Sequence, residues 1–304
     1  MRQTVTCNNI TWIDIKSPND KDVEFLRNSF NFHDFVLEEL IKPSHRQKVE
    51  NYDDYLFMML YYPVFHKASK EVSEQELDII ITRSHLITAH YQGISPLDSF
   101  FREINSKNQT KEKYMSETVG HLLFYAIHKI LEDISAKITA IEKQVRYIEK
   151  EIFKGGEKEM VFEISRAKRD IIDYRRIVGP QTSAIESLQI EGVKFFGETL
   201  APHLADLRGS FGILWNNLQD QRETLQALGE TNESLLSTKT NEVIKILTVF
   251  SVIFLPITLL ANIFGMNLEY LPLSKTPIDF WTVLGVMALI AIIMVIYFKR
   301  QKWL

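Results

Sequence analysis

The chain has 304 residues, 45% of them hydrophobic and 24% charged, with a formal net charge of −4. A single core seldom organises that much sequence, so roughly two domains' worth is present. The slight acidity and the lack of a basic stripe argue against a nucleic-acid partner. The mean hydropathy of −0.08 hides an uneven distribution, because the apolar residues gather toward one end.

The opening MRQTVTCNNITWIDIK contains no apolar segment of the secretory kind, so no cleaved signal is expected. Cys7 is the sole cysteine, which rules out an intramolecular disulfide and fits a reducing compartment. Residues 1–110 read as a mixed α/β domain. TWIDI (11–15), YLFMMLYYPVF (55–65), ELDIIIT (76–82) and HLITAH (85–90) are apolar or alternating strand candidates, the last two parted by Arg83 and Ser84 as in a hairpin. NDKDVEFLRNSF and HDFVLEELIK read as helices, the first with Asn19 or Asp20 as its N-cap.

From Ser116 the pattern turns helical: 116–153 up to Gly155-Gly156, then 157–178 up to Gly179-Pro180. Residues 111–200 therefore form a helical region. A further helix begins near Pro202 and meets no second proline before the apolar run. If unbroken to Asn267 it is on the order of 90 Å long at 1.5 Å per residue. Such a rod needs lateral partners, within the chain or from other copies. The alternative is a helix broken at Gly209, Gly212 and Gly229.

Between Lys245 and Glu269 lie 23 residues without a charge, and between Asp279 and Lys299 another 19. Each is long enough to cross a ~30 Å hydrocarbon core, and two such adjacent runs are rare as buried helices of a soluble domain. They are assigned as a first span, about 245–267, and a second, 280–298. The link 268–279 holds Pro272 and Pro277, so the spans form a hairpin. Lys299, Arg300 and Lys302 in the 299–304 tail place both chain ends in the cytoplasm by the positive-inside rule.

At 100° per residue, Asn241, Ile244, Leu247, Thr248, Ser251, Leu255, Thr258 and Asn262 share a stripe about 120° wide on the first span. Polar side chains in a span favour a protein interior or a wet lumen. Hence several copies surround a pathway, or Thr and Ser hydrogen-bond within a dry bundle. The stripe holds no carboxylate, which suits an ion that keeps its water, as Mg²⁺ does. Pro256 removes one backbone bond mid-span and is a candidate joint.

TNEVIKILTVFSVIFLPITLLANIFGMNLEY (240–270), the second span and YFKRQKWL together resemble the CorA family of magnesium channels, whose signature is Gly-Met-Asn after the first span. WIDI (12–15), FNFHDFVLEELIKPSHRQKVENYDDYLFMML (30–60) and DYRRIVGP (173–180) extend the likeness over nearly the whole chain. The resemblance implies a funnel-shaped homopentamer in the inner (plasma) membrane, with an α+β cytoplasmic domain, a long stalk helix over 201–267 continuing as the pore-lining span, and an outer ring of second spans. It implies a selectivity filter at Gly265, Met266 and Asn267, with Asn267 carboxamides holding hydrated Mg²⁺. It also implies a hydrophobic constriction at Ile244, Leu247 and Leu255. Glu38, Glu39 and Asp206 would be the acidic groups that sense cytoplasmic Mg²⁺ between subunits, and Glu269 would attract cations to the outer loop. Here Phe264 stands where the family usually has Tyr, Glu39 replaces a commoner Asp, and the loop EYLPLSK lacks an acidic residue after its proline.

No G-x-S-x-G, H-E-x-x-H or G-x-x-x-x-G-K-[ST] occurs, so neither an enzyme nor a nucleotide-driven pump is indicated. The expected function is Mg²⁺ uptake driven by membrane potential and gated by internal Mg²⁺. The alternatives are transport of Co²⁺, Ni²⁺ or Zn²⁺, with or without protons, and a membrane anchor that oligomerises without conducting.

Overall fold

The computed structural model describes residues 1–44, 46–66, 71–266 and 277–303. They fall into two compact units, Met1–Gly229 and Glu230–Leu304.

The first unit is built on a six-stranded sheet of order β1-β2-β6-β5-β4-β3. Its strands are β1 (Arg2–Cys7), β2 (Ile10–Lys16), β3 (Lys48–Asn51), β4 (Tyr55–His66), β5 (Glu71–Thr82) and β6 (His85–His90). Only the β2–β6 pair is parallel, with Asp14 opposite Thr88 and Lys16 opposite His90. Because side chains alternate, the sheet has two buried faces. One carries Ile13, Ile15, Phe57, Met59, Ile80, Ile87 and Ala89, packed in one cluster with Val23, Leu26, Val36 and Leu37. Those last four come from α1 (Asp20–Ser29) and α2 (Asp34–Glu39). Asn19 caps α1, its Oδ1 accepting from the Lys21 N–H at 3.0 Å, as one of the two candidate caps required.

Against the opposite face packs α3 (Ser95–Ser106), whose Phe100 and Phe101 rings lie 5.6 and 4.9 Å from Trp12. After α4 (Asn108–Met115), α5 (Val119–Ile152) and α6 (Glu157–Val178) form an antiparallel pair. Thr118 caps α5, and its buried positions Ile127, Ile134, Ile138, Ile141, Val145, Ile148 and Ile152 follow helical spacing. Gly155 ends the pair's first helix at φ 96°, a conformation that suits glycine. Then comes α7 (Gln181–Phe196). Gly179, before it, is required for space: a Cβ there would lie 2.8 Å from the Trp215 ring.

The long helix α8 runs unbroken from Ala201 to Phe264, 64 residues. In the first unit it buries Leu204, Leu207, Phe211, Leu214, Leu218, Leu225 and Leu228, a three-four repeat. Gly209 and Gly212 do not break it; both face open space. The second unit comprises the rest of α8 and α9 (Pro277–Arg300).

Strands β1 and β3 and helices α3, α4 and α7 are additions to the elements expected from sequence. Asn267 and Glu269, with the rest of the 267–276 link, lie outside the described residues.

Candidate functional site

Within the second unit, α8 has two contrasting faces. From Val249 to Phe264 its less exposed positions are Val249, Ile253, Pro256, Ile257, Leu260 and Phe264. On α9 they are Val283, Met287, Ile290, Ala291, Met294 and Phe298. Both sets recur every three or four residues, so they mark the seam of a helical hairpin. At 100° per residue, the stripe of Ile244, Leu247, Ser251, Leu255, Thr258 and Asn262 falls on the side of α8 opposite that seam. Leu247 and Leu255 are 65% and 68% exposed. Asn241 and Asn262 are exposed and Thr248 is half-buried. The hairpin alone therefore leaves the stripe uncovered except at the half-buried Thr248.

The hydroxyls on this stripe share one arrangement. Thr248 donates to the Ile244 carbonyl at 2.8 Å, Ser251 to Leu247 at 2.9 Å and Thr258 to Phe254 at 2.8 Å. Each donor is thus spent on the helix's own backbone, and what remains is oxygen lone pairs. Such a surface accepts hydrogen bonds from water while offering a cation no strong ligand.

At the far end, α8 stops at Phe264 and the chain turns at Gly265, whose N–H still bonds to the Ala261 carbonyl at 2.9 Å. A Cβ on Gly265 would press to 3.1 Å on that same carbonyl. Met266 is 53% exposed. The described residues end there, one short of Asn267.

The three acidic residues expected to sense Mg²⁺ lie in the first unit in unequal surroundings. Glu38 and Asp206 are exposed. Glu39 is not free: the Lys48 ammonium lies 2.8 Å from its carboxylate, with the two side chains only 14% and 13% exposed. Lys48 also bonds Glu50 at 3.0 Å. Burial alone would lower the Lys48 pKa; hydrogen bonds to Glu39 and Glu50 outweigh it and hold the ammonium above its ordinary value. A cation reaching Glu39 must therefore compete with Lys48. Spacing in sequence gave no sign of this, since Lys48 lies on another element.

Two further buried polar groups escaped the sequence reading. Asp78 on β5 shares the α1/α2 face, in register with Met59, Ala89 and, through Met59, Lys48. Neither of its carboxyl oxygens meets a hydrogen-bond partner among the described residues. Burial first, then the charges of Glu76 and Glu39, push its pKa well up, with Lys48 opposing. Beneath α3, Trp12 Nε1–H donates to Thr88 Oγ1 at 3.0 Å and Thr88 to Asp14 Oδ1 at 2.7 Å, while His90 Nε2 lies 3.2 Å from the same oxygen. Asp14, His90 and Asp98 are the one trio of close potential metal ligands among the described residues. Lys16 already sits on Asp98 and the other His90 nitrogen on the Gln92 carbonyl, so the trio is satisfied by the protein itself.

A soluble α/β unit whose one long helix continues as the first of two apolar helices, with a polar stripe facing away from their seam, defines a membrane protein of the ion-transport class. The model of the CorA-like Mg²⁺ transporter protein family matches residues 8–300. The chain belongs to that family, which is one of transporters and not of enzymes. It is 28% identical to the cobalt/magnesium transport protein CorA of Thermotoga maritima, over 97% of this chain and 83% of that protein. Identity to the Methanocaldococcus jannaschii protein of the same description is 23%, over 97% and 92%. Its fold matches the complete structure of the CorA magnesium transporter from Methanocaldococcus jannaschii at a TM-score of 0.81 and 22% identity, covering 99% of this chain and 94% of that one. It matches the full-length CmaX protein at 0.76 and 17% identity, covering 97% and 89%.

Proposed function

We propose that this protein is a homopentameric channel that admits Mg²⁺ across the plasma membrane, with both chain ends in the cytoplasm. The observation that carries the reading is the placement of the stripe on the side of α8 opposite the α9 seam. A ring of copies would turn the stripe inward and α9 outward, covering a face that the single hairpin leaves bare. Hydroxyl lone pairs and Asn carboxamides would touch the water around the ion, and Asn267 would complete the filter with Gly265 and Met266. Ile244, Leu247 and Leu255 form a ring that closes by dewetting. A doubly charged ion gains about 4.6 kcal/mol per 100 mV of potential, from ~2.3 per unit charge, so no nucleotide is needed.

Closure would follow internal Mg²⁺ held between subunits by the exposed carboxylates of Glu38 and Asp206. Glu39 joins them when Lys48 releases it. The relatives described as cobalt/magnesium transporters extend the cargo to Co²⁺.

Liposomes carrying the purified protein and a Mg²⁺-sensitive dye test the reading under an imposed potential. Potential-dependent Mg²⁺ entry, suppressed by Mg²⁺ on the side of the soluble unit, is expected. Entry of Zn²⁺ or Ni²⁺ without Mg²⁺ would overturn the cargo, and silence with every ion would leave an anchor. Native mass spectrometry must give five subunits.

A further inference from the structure

The residues that follow α9 turn back and fasten to α8. The Lys302 N–H bonds to the Lys299 carbonyl at 3.2 Å and the Trp303 N–H to the Phe298 carbonyl at 3.0 Å. This pair of bonds is a Schellman ending. Its left-handed position is filled by Lys302, φ 58°, where glycine is the ordinary choice. The Trp303 ring lies 5.9 Å from Phe298, the apolar contact that accompanies the motif.

That turn aims the Lys302 carbonyl at Lys245 of α8, whose ammonium donates to it at 2.5 Å. The same ammonium stands 6.0 Å from the centre of the Trp303 ring. Val249, one turn further along α8, is 1% exposed, and Phe298 is 8% exposed. They are the only buried apolar residues of the second unit among those described. A lysine that served only as an interfacial anchor would keep its charge among headgroups and water, and Lys299 and Arg300 already meet that need.

Lys245 is the last charged residue before the uncharged run, and it lies beside Ile244 and two positions before Leu247. Those two are 54% and 65% exposed, about 100° and 160° around the helix from Lys245. Fixing Lys245 to the ending of α9 fixes the rotation of α8 about its own axis at this level. We infer that the Gln301–Trp303 turn is a clasp, and that Lys245, Lys302 and Trp303 are positioning residues that hold Ile244 and Leu247 in the phase that closes the pathway. The clasp stands on the geometry alone; its positioning role rests on the transport reading above.

Two readouts separate these. With Cys7→Ser removing the native thiol, Val249→Cys reports the clasp through labelling by a water-soluble maleimide. The site is expected to resist labelling in the otherwise unchanged protein, to lose protection with Lys245→Met or Trp303→Ala, and to regain it with Lys245→Arg, which keeps the donor. Equal labelling in all four would overturn the clasp. In liposomes, Lys245→Met is expected to keep its ion preference but to go on conducting at internal Mg²⁺ that silences the unaltered protein, and Lys245→Arg to close normally. Closure unchanged while Val249→Cys protection is lost would overturn the positioning role. A parent protein that passes no divalent ion would overturn the transport reading and the positioning role with it, while the labelling result still decides the clasp.

Discussion

Lys48 holds Glu39: its ammonium lies 2.8 Å from the carboxylate in a pocket where the side chains are 14% and 13% exposed. Lys48→Met removes the cation that Glu39 and Glu50 share. Breaking a largely buried pair this way costs on the order of 3 kcal/mol, so the unfolding midpoint of the soluble unit in the full-length protein should fall. The freed carboxylates then become the natural seat for a divalent cation. Added Mg²⁺ should therefore raise the midpoint of Lys48→Met more than that of the parent in thermal unfolding. An equal Mg²⁺ response in both would show that Lys48 does not guard Glu39.

Asp78 should make stability fall with rising pH. Its carboxyl is held protonated by burial and by the charges of Glu76 and Glu39, so the folded chain keeps a proton that the unfolded chain releases near pH 4. Because the folded state binds more protons, this group's penalty is absent below the unfolded value and grows as pH climbs toward the raised folded value. Tyr61 and Tyr91, which also feel Asp78, have raised pKa values of their own and stay neutral in that window. Asp78→Asn removes the penalty while keeping the shape. Its midpoint should exceed the parent's by more at about pH 8 than at about pH 5, where less of the penalty has developed; parallel pH profiles for the two proteins would contradict the assignment.

What sequence revealed and what it hid follow from the range of the forces involved. The two apolar helices were legible because a charge-free run of membrane length has few other uses, and the stripe because a helix repeats every 3.6 residues. The apolar strands β4 and β5 were legible from their composition. Strand β3, KVEN, was not: it is a four-residue, half-exposed strand whose pattern follows from pairing with β4. The α3 segment SPLDSFFREINS did carry a signal, with Pro96 in its first turn and Leu97, Phe100, Phe101 and Ile104 at helical spacing. Glu39 was assigned to the Mg²⁺-sensing set by the family resemblance alone, and its partner Lys48 meets it only after folding. The Lys302 turn was hidden for a related reason, since nothing in a lysine announces a left-handed backbone.

Lys302→Gly tests that turn from the backbone side. Glycine removes the Cβ that opposes φ 58° yet keeps the carbonyl that Lys245 reaches. Offsetting the added freedom of the unfolded chain against the relieved strain, a gain of about 0.5 to 1 kcal/mol is expected. A small rise in the thermal midpoint of the full-length protein, with Val249→Cys still protected from maleimide, is the predicted result. A fall in the midpoint would mean that the lysine side chain itself contributes more than its strain removes.

Asn267→Ala should spare folding and damage selection. The substitution deletes a carboxamide from each subunit while leaving Gly265 and its bond to the Ala261 carbonyl in place. A hydrogen bond to a charged species contributes roughly 1.5 to 3 kcal/mol, so the preference for Mg²⁺ should drop by about tenfold or more. Dye-reported entry measured in parallel with Mg²⁺, Co²⁺ and Ni²⁺ reads this directly, and an unaltered order and ratio would remove Asn267 from the filter.

Leu255→Asn should hold the pathway open. Leu255 is 68% exposed on the face away from α9, so a polar replacement disturbs neither the hairpin seam nor the hydroxyl bonds of Ser251 and Thr258. A closed hydrophobic ring works because a narrow apolar gap expels water, and a ring of carboxamides at the same level retains it. The variant should conduct Mg²⁺ at internal concentrations that silence the parent, with its unfolding free energy within about 0.5 kcal/mol of the parent's, as for other exposed substitutions. Leu255→Ile, which keeps the apolar surface, should close normally. If both variants close alike, dewetting at Leu255 is not what shuts the path, and the barrier must then lie nearer the Ile244 and Leu247 level that the Lys245 clasp controls.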